Sequence, residues 1–236
     1  MFGSKLEVRK FEETIKKYEA LPVVEGKILL YGHSLFTRCS PIRTVKENPD
    51  IEQELLMNDG SQAVVNHGFG TSSADDLLYY YSRMVRPYKP KALVIATAAN
   101  DFGFGYFPKD VIDIEARLID WFKADFPGAP VYCMNYLPNC KENLQKIYLN
   151  ARAQYNELLE DYCKKNDCTY IAMEKIPFLY SKAGDSDAYN LNPEDIGDYS
   201  KIKKIHYVGD QVHFNPAGYQ KFIAWLRDFL DKEGLL

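Results

Sequence analysis

Five short apolar segments punctuate the chain, and they alternate with longer stretches in which apolar residues recur at helical spacing. The segments are Lys27-Ile-Leu-Leu-Tyr-Gly32, Gln62-Ala-Val-Val-Asn66, Lys91-Ala-Leu-Val-Ile-Ala-Thr-Ala98, Pro130-Val-Tyr-Cys-Met-Asn135 and Thr169-Tyr-Ile-Ala-Met173. Their length and β-branched content predict strands, and the near-continuous apolar run of the third predicts a strand covered on both faces. Between and after them, helices are predicted over Ser72–Val85, Lys109–Ala124, Lys141–Lys165 and Pro216–Leu230. In the second of these, Val111, Ile114, Leu118, Ile119 and Phe122 share one face. Residues 4–20 also carry helical spacing (Leu6, Phe11, Ile15, Tyr18), and a short helix is expected over Ile51–Met57 before a turn at Asn58-Asp-Gly60. Strand and helix thus alternate five times, which predicts a parallel α/β sheet with right-handed crossovers. A flavodoxin-like 2-1-3-4-5 strand order is the natural expectation. The stretch from Pro177 to Val208 fits no element, and its tyrosines (180, 189, 199 and 207) sit among polar residues. It reads as a long insertion bordering whatever site lies at the following turn.

Composition narrows the class. At 236 residues, 46% apolar and 26% charged, with no internal repeat, the chain is long enough for one well-buried domain. We read residues 1–236 as that domain, with 1–26 an N-terminal helical extension and 177–208 the insertion. A net charge of −4, with one short basic cluster at Lys201-Ile-Lys-Lys204, argues against a nucleic-acid partner. The longest apolar run, Ala92–Ala99, is broken only by Thr97 and is far short of a membrane span. The first ten residues contain no apolar signal-peptide core, so a cytoplasmic location is expected. Five cysteines, an odd number without a Cys-x-x-Cys pair, read as reduced thiols. The four histidines do not alternate with cysteines at ligand spacing, so no metal and no cofactor is expected.

Ligands of open parallel sheets collect beyond the carboxyl ends of the strands, so the residues there are the ones to weigh. They are Gly32-His33-Ser34, Asn66-His-Gly-Phe-Gly70, Ala98-Ala-Asn-Asp-Phe-Gly103, Tyr136-Leu-Pro138 and, past the insertion, Gly209-Asp-Gln-Val-His213. A serine, a histidine with an aspartate three residues earlier, a Gly-rich turn and an asparagine fall on one rim. Acyl transfer needs these types: a nucleophile, a base, a group that orients the base, and donors for an oxyanion. Plainer roles exist for each. Ser34 can cap a helix beginning at Leu35, Asp210 and His213 can close a turn, and Asn100 can bond to neighbouring backbone. Gly68 and Gly70 can serve only a tight turn, and His33, His67 and His206 read as structural or solvated.

Taken together, the blocks carry a resemblance. Ile28-Leu-Leu-Tyr-Gly-His-Ser34, Val64-Val-Asn-His-Gly-Phe-Gly-Thr71, Arg83 through Ile95, Ala98-Ala-Asn-Asp101 and Asp210-Gln-Val-His-Phe-Asn-Pro-Ala-Gly-Tyr219 resemble the GDSL/SGNH hydrolase family, in its bacterial esterase-like branch. The likeness spans about residues 27–230 without the insertion. It implies a flavodoxin-like three-layer α/β/α sandwich, Ser34 as nucleophile, His213 as base and Asp210 as its partner. Gly70 and Asn100 would form the oxyanion hole with the Ser34 N–H. Three positions depart from the family pattern: His33 in place of aspartate, Thr71 in place of a second glycine, and Ala98 in place of glycine. The resulting expectation is a serine esterase for a small, short-acyl ester, with an O-acetyl carbohydrate as first candidate and no cofactor. A thioesterase or lysophospholipase would use the same chemistry. The alternative of another class is a catalytically idle relative that binds carbohydrate through the aromatic loop, where Phe102, Phe104 and Tyr106 are the candidate substrate-binding residues.

Overall fold

In a computed structural model that describes residues 10–181 and 193–236, the five apolar segments form one parallel sheet. Its strands are β1 (Ile28–Gly32), β2 (Val64–Gly68), β3 (Ala92–Ala96), β4 (Val131–Met134) and β5 (Thr169–Ile171). They lie in the order β2-β1-β3-β4-β5, the expected flavodoxin-like arrangement. Every residue of β1 to β4 is buried, because helices cover both faces. Gly32, the last residue of β1, pairs in register with Gly68 on one side and Ala96 on the other. The neighbouring strands β2, β1 and β3 therefore end level, along one rim.

The crossover helices α4 (Ala74–Met84), α6 (Pro108–Asp125) and α8 (Leu149–Lys165) pack side by side. The right-handed crossovers place them on one face, with the short α2 (Ser34–Thr37) and α3 (Ile51–Glu54) and the closing α9 (Pro216–Lys232) on the other. Helix α4 starts with a capping box in which Ser73 and Asp76 bond reciprocally. Helix α9 is capped by Asn215, whose side chain accepts from the Gly218 N–H at 2.8 Å. At the N-terminus α1 (Glu12–Glu19) buries Ile15 and Tyr18. Arg83 of α4 clamps both ends of α1, at 2.9 Å from Glu12 and 2.7 Å from Glu19.

Some element boundaries move. The helix expected over residues 4–20 covers Glu12–Glu19, and the part before residue 10 lies outside the described residues. The helix expected over Ile51–Met57 stops at Glu54, because Leu56 pairs instead with Gln62 in an antiparallel bridge. The helix expected over Lys141–Lys165 is two helices, α7 (Glu142–Ile147) and α8, broken at Tyr148 (φ −100°, ψ 9°). No glycine or proline marks that break. The insertion consists of short 3-10 turns, with 182–192, including Tyr189, outside the described residues. Its other three tyrosines are buried rather than solvated. Tyr199 and Tyr207 donate to the carbonyls of Tyr136 and Pro138, tying the insertion to the loop after β4.

Candidate active site

Two glycines set where Ser34 can stand. A Cβ on Gly32 would lie 2.5 Å from the Ala96 carbonyl oxygen, and one on Gly68 would lie 2.5 Å from Phe36 Cβ and from the Thr37 nitrogen. Helix α2 therefore rests directly on the end of β2. Its N-cap is His33, whose Nδ1 accepts from the Leu35 N–H at 3.3 Å. That bond puts the imidazole proton on Nε2, a buried atom with no hydrogen-bond partner among the described residues. Burial first, and the charge of His213 second, hold the His33 pKa down to about 3. His33 is thus a neutral helix cap, which frees Ser34 at the first helical position from that duty.

The turn 208–213 supplies the partners. The Val208 N–H donates to the His213 carbonyl and the Gln211 N–H to the Val208 carbonyl, each at 2.9 Å. Asp210 Oδ1 accepts from the N–H groups of Val212 (2.8 Å) and His213 (2.9 Å). Its Oδ2 lies 2.7 Å from His213 Nδ1, and His213 Nε2 lies 3.0 Å from Ser34 Oγ. A carboxylate and an imidazole from one turn and a hydroxyl from the far end of the chain are so joined in one line. Burial pushes the Asp210 carboxyl upward, but the bonds from His213 and Val212 outweigh it and hold the pKa at about 2. Burial lowers the His213 pKa below its usual value, against the opposing pull of Asp210. At neutral pH this gives a carboxylate, a neutral imidazole with Nδ1–H fixed by Asp210, and a free Nε2 facing the serine.

A cavity of about 300 Å³ opens at Ser34. Thr71, Asn100 and His213 line its polar end, and Phe104, Tyr136, Leu137, Leu144, Tyr148 and Val212 contribute its largely apolar wall. The Asn100 amide donates one N–H to the Ser72 carbonyl at 3.0 Å, which fixes its plane and leaves its second N–H. The N–H groups of Gly70 and Thr71 make no hydrogen bond among the described residues. Gly70 adjoins Ser34, and Thr71 lines the cavity. Thr71, Ala98 and Gln211 all have φ between 60° and 70°, the region where a β-carbon is costly. The glycines of the family pattern at the first two positions have this physical reason. Ala98 itself is fully buried in the core and is not among the residues lining the cavity.

Of the aromatic candidates, Phe104 lines the cavity. Phe102 lies behind it, stacked on Tyr136 with centroids 5.8 Å apart. Tyr106 turns away, donating to Asp75 at 2.6 Å. No described residue of the insertion lines this cavity; the insertion reaches it through the loop after β4. The wall residues Leu144 and Tyr148 carry no signal in the sequence, since both read as ordinary helix positions. Among the described residues no group of histidine, cysteine or acidic side chains is placed to hold a metal, and no helix is long and apolar enough to cross a membrane.

The sequence profile of the GDSL-like lipase/acylhydrolase family matches residues 30–221. No curated protein matches in sequence. Among solved structures, the fold is similar to a GDSL-like lipase from Bacteroides thetaiotaomicron, with a TM-score of 0.66, 16% identity, and coverage of 96% of this chain and 100% of the other. It is similar to a lipase/acylhydrolase from Enterococcus faecalis (TM-score 0.63, 17% identity, coverage 88% and 96%). It is also similar to a mutant of an acetyl-xylooligosaccharide esterase from Geobacillus (TM-score 0.61, 14% identity, coverage 89% and 95%).

Proposed function

The chain belongs to the GDSL-like lipase/acylhydrolase family, and from that premise we propose that it is a serine esterase for small, short-acyl esters. The observation that carries this reading is the unbroken line from Asp210 through His213 to Ser34 Oγ, with distances of 2.7 and 3.0 Å, at the mouth of a cavity. Ser34 Oγ attacks the ester carbonyl while His213 Nε2 takes its proton. Asp210 holds the ring and stabilises the imidazolium that forms. The oxyanion is met by the Ser34 N–H, the N–H of Gly70 or Thr71, and the second N–H of Asn100. The imidazolium then protonates the leaving alcohol. Water, deprotonated by the same His213, releases the acid and restores the serine.

The cavity volume of about 300 Å³ lies at the lower end of ligand pockets, in keeping with a small ester. An O-acetyl carbohydrate is the first candidate substrate, in keeping with the acetyl-xylooligosaccharide esterase among the structurally similar proteins. The test is labelling with a fluorophosphonate, followed by rates on acetyl, butyryl and octanoyl p-nitrophenyl esters and on acetylated sugars. Adduct mass on Ser34 and a preference for acetyl over octanoyl are expected. An unlabelled, correctly folded protein would leave the carbohydrate-binding alternative standing, and an octanoyl preference would remove the short-acyl reading.

A further inference from the structure

A second, larger cavity lies on the other side of α7. Its volume is about 570 Å³, and its walls include Leu149 and Arg152 of α8 on one side and Asp198, Tyr199, Ile202 and Lys204 of the insertion on the other. Arg152 is only 9% exposed. Its guanidinium carbon sits 3.6 Å from the centroid of the Tyr199 ring, so the cation lies flat on an aromatic face. Among the described residues its guanidinium makes no hydrogen bond and no ion pair. A buried charge without a partner is costly, and a face-stacked guanidinium keeps its in-plane N–H groups for acceptors.

The carboxylates nearby are committed elsewhere. Glu142 is paired with Lys146 at 2.6 Å. Asp198 feels the charge of Arg152 but spends its Oδ1 on the Ser200 N–H (2.8 Å) and hydroxyl (2.7 Å). Lys204 adds a further cation to the wall. Three cations, Lys146, Arg152 and Lys204, thus face two carboxylates, Glu142 and Asp198. Beside the charges, Leu149, Ile202 and the Tyr199 ring offer apolar surface.

We propose that this groove is a binding site for a small organic oxyanion, with its head bidentate on Arg152 and its body along Leu149 and Ile202. A carboxylate and a phosphate monoester share the recognised chemistry, two oxygens in one plane meeting the fork of N–H groups. The site is separate from the Ser34 cavity: α7 stands between them, with Leu144 on the catalytic side and Glu142, Gln145 and Lys146 on this side. The proposal does not depend on the esterase reading.

The test is isothermal titration of the full chain with hexanoate, hexyl phosphate and hexanol, three probes with one body and different heads. Binding of at least one anion with a Kd of about 1–10 mM, as suits so few atoms, and binding of hexanol at least tenfold weaker, are expected. Which anion binds more tightly assigns the head group. Arg152→Met is expected to weaken the anion at least tenfold. Arg152→Lys, which keeps the charge and most of the packing, is expected to weaken it several-fold, because it lacks the fork. Circular dichroism and thermal melts accompany both variants, and if Arg152→Met fails to fold, Arg152→Lys carries the test alone. No anion binding to the wild type, equal binding of hexanol, or unchanged anion binding in a folded Arg152 variant would overturn the proposal. The last result is also what a carboxylate seated in the Ser34 cavity would give.

Discussion

Ser34 and His213 meet at 3.0 Å, but they arrive there by different means. Ser34 is placed by packing. Its helix touches β2 so closely that residue 68 has no room for a methyl group, and its flanks, Leu35 and Phe36, are buried. His213 is placed by hydrogen bonds within a polar turn, where Asp210 alone accepts three of them. Beside that turn, a Cβ on Gly209 would meet nothing within 4 Å. One half of the site is a jigsaw that resists any added atom, and the other is a loop that tolerates additions but depends on a single carboxylate. Because the packed half has no slack, adjustment of the Ser34–His213 distance falls to the loop.

The strongest test of this division treats the two residues as one unit. Ser34→Ala and His213→Ala should each lower kcat by roughly 10⁴-fold or more, and the double variant little further, since neither group works without the other. Additive losses in single-turnover assays would break the pairing. The pH profile sharpens it. His213 is active when neutral and burial lowers its pKa, so kcat/KM should rise with pH through a midpoint below about 6.5, the unperturbed imidazole value, and stay flat above. A midpoint above that value would mean that Asp210 outweighs burial.

Asn100 stands between the two halves, on the loop after β3, anchored by its bond to Ser72. If its second N–H serves the oxyanion, Asn100→Ala should cost about 2.7–4 kcal/mol of transition-state stabilisation with KM nearly unchanged. A rise in KM alone would make it a substrate-binding residue instead. The packing contrast is tested by a smaller effect. Gly68→Ala should destabilise the fold by about 1–3 kcal/mol through overpacking against Phe36 and Thr37, whereas Gly209→Ala should stay within about 0.5 kcal/mol of wild type. Equal losses in urea denaturation would show that the two halves are not built differently.

The same contrast explains what could be read from the sequence. The packed half was legible because burial on both faces writes a continuous apolar run, as in Ala92 to Ala96, and because Gly32 and Gly68 stop the strands where the chain must turn. The rim holding residues 34, 70, 100 and 210–213 followed from where those runs end, whereas the strand order β2-β1-β3-β4-β5 is not fixed by the runs and needed the structure. The other half was opaque for a physical reason. Tyr180, Tyr199 and Tyr207 are buried with their hydroxyls bonded to backbone carbonyls, yet in sequence they stand among polar residues with no period. The break at Tyr148 is equally silent: its ring packs against Phe102 with centroids 6.3 Å apart, a tertiary contact that no local pattern announces. In sequence His33 reads as structural or solvated, and only the bond that its ring nitrogen accepts from the Leu35 N–H reveals its capping role.

The smallest expected effect concerns the seam between the halves, at Thr71. This residue is exposed, lines the cavity, and holds φ at 62°, where a β-branched side chain is at its least comfortable. Relief of that strain in Thr71→Gly is worth about 1–2 kcal/mol, and the added freedom of the unfolded chain takes back about 0.4–1 kcal/mol. A net gain of about 0–1.6 kcal/mol should raise Tm by up to about 6 °C in a domain of this size. The substitution keeps the backbone N–H, so if that group is what Thr71 offers an oxyanion, kcat should remain within about twofold of wild type. A stabilised variant with kcat reduced tenfold would instead assign a role to the threonine side chain, and the strained conformation would then be serving the hydroxyl rather than the N–H.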